Sequence, residues 1–209
     1  MARGLKGFWS KSFRHNWPAY FIVLFAFALG LAAGTLSVYR LQTGQIQELS
    51  LYLDRFVEMA SFVETEPALA LSPVLRNNLF LIAAVYLLGL TIIGIPVILM
   101  LVFTRGFVLG FTLVFLGWQK NIQGIILSCA AVLPQNIFFL PALLLGSVAS
   151  LSFALLLAKR FRNSKIVIWP SFLLYSGLMI FLTVLAFLAG LTEVYLTPFL
   201  IKLTANFLL

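Results

Sequence analysis

The chain is poor in reactive side chains: one cysteine, one histidine and six acidic residues in 209. A lone Cys129 in an apolar run excludes an internal disulfide and any CxxC metal or redox pair, and reads as a small core residue. Five of the six acids lie between Glu48 and Glu66, so acid, base and nucleophile have no way to converge in a dry site. HExxH, GxSxG and the Walker A pattern are all missing, and His15 belongs to a basic flank. These absences argue against an enzyme, against a metal or other cofactor, and against nucleotide hydrolysis by this chain. No apolar run carries Asp, Glu or His, the residues with which ion-coupled transporters bind their ion at mid-membrane.

Charge itself is scarce. Only 10% of residues are charged, 62% are hydrophobic, and the mean hydropathy is +1.08. Too little polar surface remains to cover a soluble globule, so the chain must dissolve in lipid. The net charge of +8 comes from basic residues that flank apolar runs, where the positive-inside rule and anionic headgroups account for them. No basic surface is left over for nucleic acid.

The fold class expected is all-α: a polytopic bundle of about five membrane spans, with kinked or broken helices and one external amphipathic helix. Residues 1–19 interleave Leu5, Phe8, Trp9, Phe13 and Trp17 with Arg3, Lys6, Lys11, Arg14 and His15, which suits either an interfacial helix on membrane lipid or an ordinary flank. Residues 20–209 form a single transmembrane domain. Its first span, Tyr20–Val38, exceeds a signal-peptide core and is expected to stay as an anchor, although Ala32-Ala33-Gly34 resembles a cleavage site.

Within 45–64, Ile46, Leu49, Leu53, Phe56, Ala60 and Val63 recur at spacings of three and four, with Glu48, Asp54, Glu58 and Ser61 on other faces. This predicts an amphipathic helix outside the bilayer, broken by Pro67 and Pro73. A second span is expected at Leu79–Phe103, kinked near Pro96. A short third run, Phe107–Trp118, lies between Arg105 and Lys120 and barely reaches across the hydrocarbon. The stretch Ile122–Ala158 is too long for one span, and Pro134 and Pro141 suggest a broken element. We expect Ile122–Leu133 to enter and turn at Pro134-Gln135-Asn136, with the main crossing at Phe138–Ala158. A last span, Ile166–Leu191, precedes Glu193 and the tail.

Five crossings with the N-terminus inside place Arg3, Lys6, Lys11, Arg14, Arg105, Lys159, Arg160, Arg162 and Lys165 in the cytoplasm, and the acidic helix and C-terminus outside. Arg105 is then expected to snorkel to the cytoplasmic interface, or to serve as a docking charge for a partner or an anionic lipid. Gln135 and Asn136 would satisfy backbone groups freed at the break, or else line a pore. Gly30/Gly34, Gly106/Gly110 and the stripe Ala142/Gly146/Ser150 have the spacing for close helix approach, within one bundle or in a homo-oligomer. The external helix reads as a lid over the protein's own outer surface or as a docking surface.

Two blocks carry more than composition. Leu88-Gly89-Leu90-Thr91-Ile92-Ile93-Gly94-Ile95-Pro96, running on through Phe103-Thr104-Arg105-Gly106-Phe107 to Gly110-Phe111-Thr112, resembles the hallmark stretch of the stage II sporulation protein M family. So does Leu133-Pro134-Gln135-Asn136 with Pro141-Ala142. The resemblance covers nearly the whole chain, including Leu51-Tyr52-Leu53 with Phe56 and Phe62 in the external loop. It implies a non-enzymatic component of the engulfment machinery of endospore formers. That component sits in the mother-cell septal and engulfing membrane and anchors stage II sporulation proteins D and P, which degrade peptidoglycan.

Two readings follow. In the first, a five-span and dimeric scaffold recruits wall hydrolases through Glu48, Asp54, Arg55 and Glu58. In the second, a permease-like conduit is driven by a separate ATPase near Arg105 and Lys159–Lys165, using the breaks at Pro96 and Pro134–Asn136 to shape a cavity.

Overall fold

The computed structural model describes residues 17–62, 67–162, 168–197 and 199–200, with side chains outside the described set at 53–62, 67–70, 119–131 and 162. Among the described residues the structure is helical with no strand. The helices are α1 (Trp17–Val38), α2 (Thr43–Phe62), α3 (Pro67–Gly89), α4 (Gly94–Arg162) and α5 (Trp169–Leu191), the last continued by a π-helical turn at Thr192–Leu196. Five segments are long and apolar enough to cross a membrane: Trp17–Val38, Leu71–Gly89, Gly94–Trp118, Val132–Phe161 and Trp169–Leu196. The shortest, at 19 residues, reaches about 29 Å, close to the thickness of the hydrocarbon layer. The chain is therefore a multi-pass helical membrane protein.

Helix α4 contains two spans. On a straight helix residues 105 and 139 would stand about 50 Å apart, yet the Arg105 guanidinium lies 4.8 Å from the centre of the Phe139 ring. α4 therefore folds back on itself between Trp118 and Val132, and its two spans run antiparallel. The second, Val132–Phe161, is the central helix: half of it is buried, against at most 28% of any other span. One apolar cluster packs α3, the second half of α4 and α5 around Ile82, Val85, Phe139, Leu143, Tyr175, Met179 and Leu182. A second packs α1 and both halves of α4 through Ala19, Val23, Val102, Val148 and Leu151. Phe21, Leu24, Phe25, Leu29, Met100, Phe181 and Val184 point outward, as lipid requires.

Close approach of α1 to the first half of α4 rests on four glycines. A Cβ on Gly30 would meet the Phe103 carbonyl oxygen, and one on Gly34 that of Phe107; on the facing helix, Gly106 is closed off by Phe27 and Gly110 by Leu31. Each glycine pair thus lies against the backbone of the other helix, the arrangement that lets membrane helices gain dispersion contacts without a hydrophobic driving force.

Several expected boundaries move. Helix α3 runs through Pro73, where a break is expected, so the second span starts at Leu71 rather than Leu79. The second span ends at Gly89 and the third starts at Gly94, so Leu79–Phe103 is not one kinked helix. Thr91 Oγ1 donates to the Leu88 carbonyl at 3.0 Å and accepts the Gly94 amide at 3.2 Å, closing a turn over Leu90–Ile93. Pro96 consequently lies in the first turn of α4, where a missing N–H costs little. The short run Phe107–Trp118 is the second half of a 25-residue span and needs no thinning of the bilayer. Finally, Pro134-Gln135-Asn136 is not a turn: helix runs through it and through Pro141. With five alternating crossings, residues 39–62, 67–70 and 119–131 lie at one end of the bundle, and Leu90–Ile93 lies at the other with the exposed Lys159 and Arg160.

Helix α2 begins as its sequence expects, with the Gln45 side chain reaching back to accept the Gln42 amide at 3.0 Å, one half of a capping box. Among the described residues it has no packed interface with any span.

Candidate functional site

Arg105 is where the structure departs furthest from the sequence. It is twelfth in the span Gly94–Trp118, about 17 Å along the helix from the Leu90–Ile93 turn and about 20 Å from Trp118. It is not an interfacial residue. Its side chain turns into the bundle and stacks over Phe139, a cation–π contact that gains strength away from water.

Facing it is Glu193, inside the fifth span rather than beyond it. The two charges are within electrostatic reach, and among the described residues Arg105 has no hydrogen-bond or contact ion-pair partner. Asn78 of α3 completes the group. It is 0% exposed, it lies beside the Glu193 carboxylate, and its Nδ2 is 3.7 Å from where a Cβ on Gly190 would sit. Both polar atoms of Asn78 and Oε2 of Glu193 are buried without a hydrogen-bond partner.

Glu193 owes its position to the π-helical turn Thr192–Leu196. Such turns widen a helix locally and recur at functional sites. Thr192 Oγ1 donates to the Ala189 carbonyl at 2.8 Å and lies 3.5 Å from the Pro134 carbonyl, tying the turn to the central helix. Four spans therefore converge on one polar group, supplied by Asn78, Arg105, Pro134 and Glu193.

A second polar network ties the same helices together near their other end. Ser150 Oγ donates to the Val85 carbonyl at 3.0 Å, Tyr175 OH donates to the Tyr86 carbonyl at 2.8 Å, and the two hydroxyls are 2.9 Å apart. The Tyr86 and Tyr175 rings stack at 5.3 Å, and Phe153 stacks on Tyr175 at 4.8 Å. A Cβ at Gly89 would strike Tyr175 and Ser150, so this glycine makes room for the network. Every polar member is satisfied, which marks it as structural.

The remaining residues singled out from sequence are scattered. Glu48 is exposed on α2 beside the exposed Leu51 and Tyr52. Asp54, Arg55 and Glu58 belong to the same helix, but their side chains lie outside the described residues. Asn136 Nδ2 donates at 2.7 Å to the Val132 carbonyl of its own helix. Gln135 is half-buried and Pro134 buried. Asn78 and Glu193 escaped sequence reasoning because both fall at the ends of apolar runs and look like loop residues. The usable signal was Arg105: a buried cation needs a counter-charge, and Glu193 is the one acid outside Glu48–Glu66. No group of three His, Cys, Asp or Glu side chains that could hold a metal ion occurs among the described residues.

No curated protein and no solved structure matches the chain. A family model does, over residues 8–198, which takes in all five spans, α2 and the Asn78–Arg105–Glu193 group. The chain thus belongs to the stage II sporulation protein M family.

Proposed function

We propose that the protein is a non-enzymatic membrane scaffold of the sporulation engulfment machinery, with α2 as its docking surface for peptidoglycan hydrolases such as stage II sporulation proteins D and P. The observation that carries this reading is α2 itself. A 20-residue amphipathic helix that exposes Glu48, Leu51 and Tyr52 along its first half offers a partner both charge and apolar surface. The N-terminus would be cytoplasmic, the α2 end would face the space between the membranes, and the site of action would be the septal and engulfing membrane. The test is to reverse Asp54 and Glu58 together to Lys. Insertion and abundance should be unchanged while hydrolase recruitment is lost; full recruitment by the variant rules the assignment out.

A second reading, a permease-like conduit coupled to a separate ATPase that docks at Lys159 and Arg160, draws on the Asn78–Arg105–Glu193 group, since charges inside a bundle commonly mark a substrate path. Reconstituted vesicles would have to show flux that Glu193→Gln abolishes.

A further inference from the structure

The Asn78–Arg105–Glu193 group is too costly to be left as it stands. An ionised side chain withdrawn from water costs several kcal/mol unless an opposite charge and hydrogen bonds compensate it. Here a guanidinium with five donors has only an aromatic face, and the carboxylate across from it is within reach but not in contact. The Asn78 amide adjoins the Glu193 carboxylate closely enough to act on it, yet neither of its polar atoms reaches hydrogen-bond geometry with any partner. Arg105 and Glu193 are only half-buried, so an occupant can approach both, but it must displace their neighbours to reach Glu193 Oε2 and the Asn78 amide, which are closed off. The pair is neutral overall, so a simple anion drawn to Arg105 is repelled by Glu193, and a simple cation the reverse. A group carrying both charges satisfies every open valence at once. Its oxyanion takes the Arg105 donors, its ammonium takes Glu193 Oε2, and the Asn78 amide bridges the two.

We propose that Arg105, Glu193 and Asn78 form a binding site inside the bundle for a small zwitterionic group, an ammonium joined by a short linker to an oxyanion. The group could belong to a free amino acid or to the headgroup of phosphatidylethanolamine. The site is independent of docking on α2, so a failed recruitment experiment leaves it standing.

The test is thermal unfolding of the full chain in phosphatidylglycerol nanodiscs, whose headgroup carries no ammonium, with glycine, acetate or methylamine added at equal concentration, and again in nanodiscs containing phosphatidylethanolamine. A ligand that binds the folded state raises Tm by mass action. For a free zwitterion, glycine raises Tm by a few degrees while acetate and methylamine do not; for a headgroup, phosphatidylethanolamine raises it and glycine adds nothing. In either case Arg105→Gln and Glu193→Gln abolish the rise. If those variants do not assemble, Arg105→Lys and Glu193→Asp, which keep the charges but shift them, must shrink it. The proposal falls if neither glycine nor phosphatidylethanolamine moves Tm, if acetate or methylamine alone matches glycine, or if the variants respond as the wild type does.

Discussion

Gly34→Ala puts the packing of α1 on α4 to its most demanding test. The added Cβ would land on the Phe107 carbonyl oxygen, with the Phe107 carbonyl carbon and the Phe111 amide nitrogen both at 2.9 Å. All three are backbone atoms of a helix and cannot rotate away, so the two helices must part. A gap of about 0.5–1 Å already forfeits a quarter to a half of the dispersion energy across it, and overpacking a tight contact costs about 1–3 kcal/mol. Four glycines share this seam, so we place Gly34→Ala near the top of that range. Gly177→Ala is the control: nothing lies within 4 Å of its Cβ, and alanine in a helix gains up to about 1 kcal/mol over glycine. Titration with SDS in mixed micelles, followed by circular dichroism, would rank the two. The double variant Gly34→Ala/Gly110→Ala should cost clearly less than the sum of its parts, because either change alone already separates the helices. Equal stability of Gly34→Ala and Gly177→Ala, or full additivity in the double variant, would refute the packing described.

Other changes have defined outcomes. Tyr175→Phe removes the donor to the Tyr86 carbonyl and the hydroxyl beside Ser150, and should cost about 1–2 kcal/mol in the same titration. Pro96→Ala should change stability by less than about 0.5 kcal/mol, since first-turn proline breaks no helical hydrogen bond; a mid-span kink would respond far more. In a Cys129→Ser background, Ile93→Cys, from a residue 84% exposed, and Lys120→Cys should react with a membrane-impermeant thiol reagent from opposite sides of the membrane. Labelling of both from one side would break the five-span path. Arg105→Ala should lower Tm more than Arg40→Ala, because Arg40 is exposed next to α2 whereas loss of Arg105 leaves the half-buried Glu193 without its counter-charge.

Much of the fold was legible in the residues. The spacing of Ile46, Leu49 and Leu53 marked α2, the apolar lengths set the number of spans, and the small-residue pairs Gly30/Gly34 and Gly106/Gly110 are the ones that meet. The boundaries were harder for a physical reason. Leu90-Thr91-Ile92-Ile93 is as apolar as the helices it joins, so hydropathy alone does not separate a turn from a kink, and the turn depends on Thr91 hydrogen bonds that no periodicity reveals. Arg105 then misled in proportion to its rarity. Positive charge is the usual marker of a cytoplasmic loop, and treating it so split one 25-residue span in two. Glu193 and Asn78, at the ends of apolar runs, read independently as loop residues, which hid the group that, among the described residues, brings opposite charges near each other inside the bundle.

The most direct test of the scaffold reading is affinity purification of the tagged protein in mild detergent from its own cells during engulfment, with mass spectrometry of what stays bound. Peptidoglycan hydrolases should be enriched with the wild type and depleted with the Asp54→Lys/Glu58→Lys variant. Recovery of an ATPase with no hydrolase, or of no partner at all, would contradict the scaffold and shift the case to the conduit.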